Sequence, residues 1–189
     1  MKDLLKGIIL ALLTLPALLY NSSQQKGLEY EFIQSDNNYS FRGRFIVKAE
    51  FECLINVIFD FEHISNYASG AKSLEKKRQG ENWYDVTYTY RKLLIFENQS
   101  TWRRTLKRNK GKVVFEMISS RNNLSIIPEV IYSKGYYQIN NENEGYSVEY
   151  FQEFKINPGI LKYSYIYEAK KGAIKFLQEF KEYIEKTCD

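Results

Sequence analysis

The chain has 189 residues, a net charge of +4 and a single histidine, and 16% of its residues are aromatic, with 16 tyrosines against 2 tryptophans. This length fits one domain with a single sizeable core and argues against a second full domain. One histidine, two cysteines and scattered aspartates supply neither a zinc cluster nor a recognisable catalytic triad. Catalysis therefore has little support, and no metal or cofactor is expected. The many tyrosines suit a cavity whose walls have polar tips, although an AT-rich genome produces the same bias.

Residues 1–24 have the pattern of a signal peptide or an N-terminal membrane anchor. Lys2 and Lys6 precede the apolar run GIILALLTLPALLY, which has the length of a signal-peptide core and is short for a spanning helix. Because no clear small-x-small cleavage site follows, an uncleaved anchor stays open. We expect residues 25–189 to form one domain outside the cytoplasm, periplasmic or secreted.

Cys53 and Cys188 are the only cysteines. Outside the cytoplasm a disulfide between them could form and would attach the C-terminus to the rest of the domain. Two unpaired thiols are the alternative.

The first part of this domain predicts two strands followed by two short helices. Apolar and basic side chains alternate over residues 39–49, which predicts a strand, and residues 28–34 are its expected hairpin partner across the turn SDNN. From Glu50 the apolar spacing becomes helical, and Gly70 provides a stop. We expect two short helices joined near Asp60, with the Asp60 carboxylate capping the second.

After Gly70 the pattern predicts antiparallel strands at residues 72–79, 82–91, 98–108, 112–120, 132–140 and 146–156. In the second of these, one face is formed by Tyr84, Val86, Tyr88 and Tyr90, and Asp85, Thr87 and Thr89 form the other. The apolar segment around Pro128, between the fourth and fifth of these strands, is expected to be a lid or a loop packed on the core.

Residues 158–186 predict one long amphipathic helix, opened by Pro158 and Gly159. Its apolar series is Leu161, Tyr165, Ala169, Gly172, Ala173, Phe176, Leu177, Phe180 and Ile184. Because each helical residue turns about 100°, Tyr163 and Tyr167 lie on one side and Tyr165 lies nearly opposite.

Residues 91–112 are locally basic, since eight lysines and arginines face only Glu97. A solvated hairpin surface and contact with an anionic membrane are the two alternatives. No motif supports a nucleic-acid partner. The basic residues are Arg91, Lys92, Arg103, Arg104, Lys107, Arg108, Lys110 and Lys112.

The order of these elements resembles the START-like superfamily, also called SRPBCC or polyketide cyclase/coenzyme Q-binding proteins, over residues 39–187. The resemblance rests on AEFECLINVIFDFEHISNYASGA, SKGYYQI and INPGILKYSYIYEAKKGAIKFLQEFKEYIEK. It implies an α+β helix-grip fold, in which a curved antiparallel sheet wraps around a long C-terminal helix and two short helices follow the first strand. It also implies an apolar cavity for ligands such as lipids, sterols, quinones or polyketides.

This resemblance, together with the leader-like N-terminus and the lack of catalytic motifs, implies a secreted or membrane-tethered protein that binds or transfers a hydrophobic ligand, a lipid or an isoprenoid, in an internal cavity. One alternative is a cyclase- or dehydratase-like enzyme acting on an aromatic or polyketide-type molecule. Another is a non-catalytic interaction module with a filled core. The candidate ligand-binding residues are Tyr84, Tyr88, Trp102, Phe115, Met117, Tyr137, Tyr150, Phe154 and Tyr167.

Overall fold

The computed structural model describes residues 21–25, 27–68, 70–90, 98–122 and 128–188. Most of the predicted leader, residues 91–97 of the basic stretch and residues 123–127 of the expected lid lie outside this part. The described elements are β1 (Asn21–Gln25), β2 (Leu28–Ser35), β3 (Asn38–Val47), α1 (Phe51–Phe59), α2 (Phe61–Tyr67), β4 (Ala71–Gln79), β5 (Trp83–Tyr90), β6 (Asn98–Lys107), β7 (Lys112–Asn122), β8 (Glu129–Glu142), β9 (Gly145–Asn157) and α3 (Lys162–Cys188).

The nine described strands form one antiparallel sheet in the order β1-β2-β3-β9-β8-β7-β6-β5-β4. After β3 the chain forms α1 and α2, restarts at the far edge with β4 and returns strand by strand until β9 pairs with β3. The sheet curves around α3, so the predicted helix-grip fold is confirmed. Residues 21–24, assigned from sequence to the leader or anchor, lie in β1, which pairs with β2.

The helix α3 rests on the sheet through an apolar face. Leu177, Phe180 and Ile184 are fully buried on this face, as the helical series predicts. Gly43 of β3 lies directly beneath, and a Cβ atom at this position would overlap the Leu177 side chain. The absence of a side chain at Gly43 therefore permits the close approach of α3 to β3.

The two short helices cover another part of the concave face. α1 buries Leu54, Ile55, Val57 and Ile58, and α2 buries Ile64 and Tyr67. Asp60 separates the helices in an extended conformation, as predicted, but the expected cap is wrong because its side chain makes no capping hydrogen bond. The backbone carbonyl of Asp60 instead accepts a hydrogen bond from the His63 N–H at 3.2 Å.

Cys53 of α1 and Cys188 at the end of α3 form a disulfide, across a sequence separation of 135 residues. This is the first of the two alternatives that the sequence leaves open. The bond connects the C-terminal end of α3 to α1, and so fastens the central helix to the helices that share the concave face. No helix in the described ranges has the length and apolar character needed to cross a membrane.

Candidate ligand-binding cavity

A cavity of about 480 Å³ lies between the sheet, α2 and α3. Small-molecule sites typically measure about 300–1,000 Å³, and one water occupies about 30 Å³ of liquid. The space is therefore large enough for an organic ligand. We call it the arginine cavity, and its lining residues are Ile64, Tyr67, Ala68, Gly70, Ala71, Tyr88, Tyr90, Trp102, Arg104, Phe115, Tyr137, Tyr150, Gln152, Gly172, Lys175, Phe176 and Glu179.

A second cavity of about 410 Å³ adjoins the first. Along α3 the two linings extend from Tyr165 to Glu179, a length of about 21 Å at the helical rise of 1.5 Å per residue. They share Tyr90, Trp102, Tyr150, Gln152, Gly172 and Phe176, which places them side by side. The remaining residues of the second cavity are Phe32, Phe41, Ser100, Met117, Ser120, Val130, Phe154, Tyr165, Ala169 and Ala173.

The alternation of strand residues determines which side chains enter the arginine cavity. Strand pairing aligns a row across the sheet that runs Tyr84, Arg104, Phe115, Gly135 and Gln152. Directly paired residues of neighbouring strands lie on the same face of the sheet. Because Arg104, Phe115 and Gln152 line the cavity, this row lies on the concave side. A Cβ atom at Gly135 would overlap the Phe115 ring and the backbone oxygen of Phe151, and glycine there makes room for the ring.

Arg104 is a buried cation in the cavity wall. Its exposed fraction is 4%, and its Nη2 donates a hydrogen bond to the carbonyl of Ile58 at 2.5 Å. Among the described residues its Nε has no hydrogen-bond partner, and the guanidinium forms no ion pair with a carboxylate there. Burial alone would lower the pKa of Arg104, but the hydroxyls of Tyr84, Tyr67 and other tyrosines outweigh it and the pKa is raised. The group stays charged.

Protonated tyrosines surround this cation. Burial raises the pKa of Tyr137 to about 12 and also raises the pKa of Tyr88, while the charge of Arg104 and a hydrogen bond from it oppose both shifts. Burial likewise raises the pKa of Tyr67 and of Tyr150. At neutral pH these groups are therefore phenols that donate and accept hydrogen bonds, and they do not neutralise the guanidinium.

Several other polar tips of the wall are bonded to protein groups. The Tyr150 hydroxyl donates to Gln152 Oε1 at 2.5 Å, and Gln152 Nε2 donates to Ser133 Oγ at 3.0 Å. Trp102 Nε1 donates to Ser100 Oγ at 2.7 Å. These bonds hold the rings in place and leave their apolar faces toward the cavity.

The cavity reaches the surface beside α3. Lys175 and Glu179 line it there and form an ion pair at 3.4 Å, with the Lys175 side chain 66% exposed. Glu179 is the one carboxylate among the described lining residues. His63 lies outside both linings, and its Nδ1 is 2.7 Å from the Tyr183 hydroxyl.

The structure brings most of the sequence-predicted residues together. The arginine cavity is lined by Tyr88, Phe115 and Tyr137, the second cavity by Met117 and Phe154, and both by Trp102 and Tyr150. Their contact with a ligand stays a prediction.

Two predicted residues do not line either cavity. Tyr84 is fully buried, with its hydroxyl bonded to the carbonyl of Phe59 at 2.5 Å, so its position is in the core beside the cavity wall. Tyr167 is 68% exposed, and Tyr165 lines the second cavity instead. The reason is the helical phase, because position 165 lies within about 20° of Gly172 and Phe176, which line both cavities, whereas position 167 lies on the opposite side of the helix.

Arg104 is the residue that sequence reasoning missed, since we assigned it to a basic surface. A signal was present: Trp102 was expected to face the cavity, and residue 104 of the same strand shares its face. Arg103, by contrast, lies on the outer face, where its Nε donates to Asp85 Oδ1 at 2.9 Å and its guanidinium lies 4.2 Å from the Trp83 ring centroid. Contact of residues 91–112 with a membrane stays a prediction.

Neither a protein-family model nor a curated protein sequence matches the chain. Solved structures do match. The Zhui aromatase/cyclase from Streptomyces sp. R1128 superposes with a TM-score of 0.65 at 11% identity, over 78% of this chain and 94% of that one. A STAR-related lipid transfer protein from Xanthomonas axonopodis gives 0.61 at 12% identity, over 88% and 97%. Ginseng major latex-like protein 151 from Panax ginseng gives 0.57 at 10% identity, over 78% and 95%.

These likenesses define the fold of this chain as START-like, of the SRPBCC type. The fold expected from the resemblance is thus confirmed. At identities of 10–12% the likeness concerns the backbone architecture, and the ligand has to be argued from the residues of the cavity.

Proposed function

We propose that this protein binds a hydrophobic small molecule, of lipid or isoprenoid class, in the two adjoining cavities. The observation that carries the proposal is the cavity of about 480 Å³ with aromatic walls and a few polar tips. A neighbour in fold is a STAR-related lipid transfer protein. The alternative of a filled interaction module is disfavoured because its core would contain no space of this size.

Burial of a long apolar chain supplies part of the free energy that binding needs. Each buried methylene contributes about 0.8 kcal/mol, so a tail of about ten methylenes gains roughly 8 kcal/mol. Lost translational and rotational freedom costs about 4–15 kcal/mol. A ligand therefore needs both cavities, or polar anchoring in one of them, to bind tightly.

We further propose that the protein is secreted or tethered to a membrane and meets its ligand there. The leader-like pattern of residues 1–24 supports this location, as does the disulfide between Cys53 and Cys188. The exposed basic residues within 91–112, among them Lys107, Arg108 and Lys110, would then face anionic lipid, whereas the buried Arg104 would not.

Native mass spectrometry of the purified protein, with displacement of a fluorescent lipid probe, tests the binding function. We expect a co-purified lipid or saturable probe binding. Gly172→Phe should reduce binding at least about tenfold, or 1.4 kcal/mol, because position 172 borders both cavities and a Cβ atom there meets no other atom within 4 Å. Lys171→Phe, on the exposed neighbour, is the matched control. Absence of any lipid together with failure to bind a lipid panel would refute the proposal.

A cyclase-like activity is the second candidate, and Arg104 is the observation that favours it. A buried guanidinium beside tyrosine hydroxyls could stabilise an enolate oxygen, and a neighbour in fold is an aromatase/cyclase. However, the raised tyrosine pKa values leave no phenolate base at neutral pH, and the described lining contains no histidine or cysteine. Conversion of a poly-β-ketone analogue that disappears in Arg104→Met would favour the enzyme over the carrier.

A further inference from the structure

Two consecutive arginines of β6 have opposite electrostatic environments. Arg103, whose side chain is 33% exposed, has the carboxylate of Asp85 as its counterion. Arg104 is almost fully buried, and its neighbours are phenols and a backbone carbonyl. Burial of a charge without a counterion costs several kcal/mol. The more exposed arginine thus has an acid partner, whereas the buried one has none among the described residues.

A structural role explains only part of this arrangement. The Arg104 Nη2 contacts the carbonyl of Ile58, in the last turn of α1. A cation at a helix C-terminus contributes about 0.3–1 kcal/mol, and up to about 2 kcal/mol when partly buried. This contact uses one of the five N–H donors of the guanidinium and does not cancel its charge.

The cavity around Arg104 is arranged to receive an oxygen anion. Tyr88 and Tyr137 line it next to the guanidinium. A phenol that accepts a hydrogen bond from Arg104 still has its own proton to donate to a ligand oxygen. The other cation of the described wall, Lys175, forms an ion pair with Glu179, whereas Arg104 has no carboxylate partner among the described residues, which suits a ligand with a negatively charged head.

We propose that the ligand is a carboxylate amphiphile whose acidic head binds Arg104, Tyr88 and Tyr137 in the arginine cavity and whose tail lies in the second cavity. This inference rests on the proposed lipid-binding function and specifies its ligand class. The tail passes between Trp102 and Phe176, which border both cavities. Beyond them the wall is largely apolar, with Phe41, Phe154 and Met117 among its residues.

Binding of matched probes tests the head-group assignment. Dissociation constants of palmitic acid, methyl palmitate, palmityl alcohol and cetyl phosphate are measured on the full chain at neutral pH. We expect the acid to bind at least about tenfold more tightly than the ester or the alcohol, because a hydrogen-bonded charge pair is worth about 1.5–3 kcal/mol. Arg104→Met should abolish this preference by weakening the binding of the acid more than the binding of the ester. Arg103→Met, on the outer face, is the matched control and should preserve the preference.

The outcomes separate the inference from the function on which it rests. Equal binding of acid, ester and alcohol by the wild-type protein overturns the inference and leaves lipid binding intact. Tighter binding of cetyl phosphate than of palmitic acid overturns the carboxylate assignment in favour of a phosphate head. Failure of every probe refutes the proposed function itself. If Arg104→Met does not fold, Tyr88→Phe with Tyr137→Phe replaces it, and an unchanged acid-to-ester ratio in that variant would contradict the role of the two phenols.

Discussion

Arg103 and Arg104 lie on opposite faces of β6 and differ in whether a carboxylate balances their charge. Burial alone would raise the pKa of Asp85, yet hydrogen bonds and charges from Arg103 and Arg78 lower it. That carboxylate is ionised at neutral pH and shared by two arginines on the outer face. The inner face keeps Arg104 without such a partner in the described part of the chain. Because Arg104 has no carboxylate partner there, it indicates a ligand with a negatively charged group.

At the residue scale, Tyr165 should matter for ligand binding and Tyr167 should not. Tyr165→Ala removes a ring from the wall of the second cavity, and we expect the dissociation constant of a bound lipid to rise about tenfold, or 1.4 kcal/mol. Tyr167→Ala removes a side chain that is 68% exposed, so binding should change less than about twofold. Probe titration of the two variants measures this. A larger loss in Tyr167→Ala would contradict the placement.

At the scale of elements, two glycines differ in whether the structure has room for a side chain at their positions. Gly135 lies in the middle of β8, where a Cβ atom would overlap both the Phe115 ring and a backbone oxygen. Gly172 lies in the middle of α3, where a Cβ atom meets nothing within 4 Å. Glycine is therefore a steric requirement in the strand, whereas the helix has room for a side chain at Gly172.

Alanine substitution should separate the two glycines. Gly135→Ala should lower the free energy of unfolding by about 1–3 kcal/mol, because backbone and ring must move apart. Gly172→Ala should raise it by about 0.4–1 kcal/mol, because alanine favours the helix and restricts the unfolded chain. Chemical denaturation of both variants provides the measurement. Destabilisation by Gly172→Ala would show that α3 needs this glycine for packing.

Most elements of the sheet are predictable from their alternation, and the exceptions have identifiable causes. The strands predicted at 72–79 and 82–91 lie within one residue of β4 and β5. β8 begins at Glu129, three residues before the predicted strand, because pairing with β9 extends past the apolar pattern. β1 is an edge strand that pairs with β2 alone, and its sequence is the polar NSSQQ. It therefore has no apolar alternation from which a strand could be predicted.

At the scale of the whole molecule, the disulfide joins the start of the helical layer to the end of the chain. It closes a loop of 135 residues, and long loops restrict the unfolded chain most. The double variant Cys53→Ser/Cys188→Ser should therefore lose about 2–5 kcal/mol of unfolding free energy. Denaturant titration without reductant measures this loss.

Reductant supplies the control for this experiment. It should lower the stability of the wild-type protein to that of the double variant and leave the double variant unchanged. Equal stability of the wild type and the double variant in the absence of reductant would indicate that the bond does not contribute to the fold.

The sequence by itself determined the order of elements from β2 onward, the inward face of β5 and the apolar stripe of α3, because these depend on local periods of 2 and 3.6 residues. Local periods put Tyr165 on the apolar face of α3, but they do not specify which cation lacks an acid or where a cavity lies. Only the tertiary structure placed Arg104 among Tyr88 and Tyr137, and a cavity beside Tyr165. The physical reason is that the burial of a side chain and its ion pairs depend on contacts between strands and helices that are far apart in the sequence.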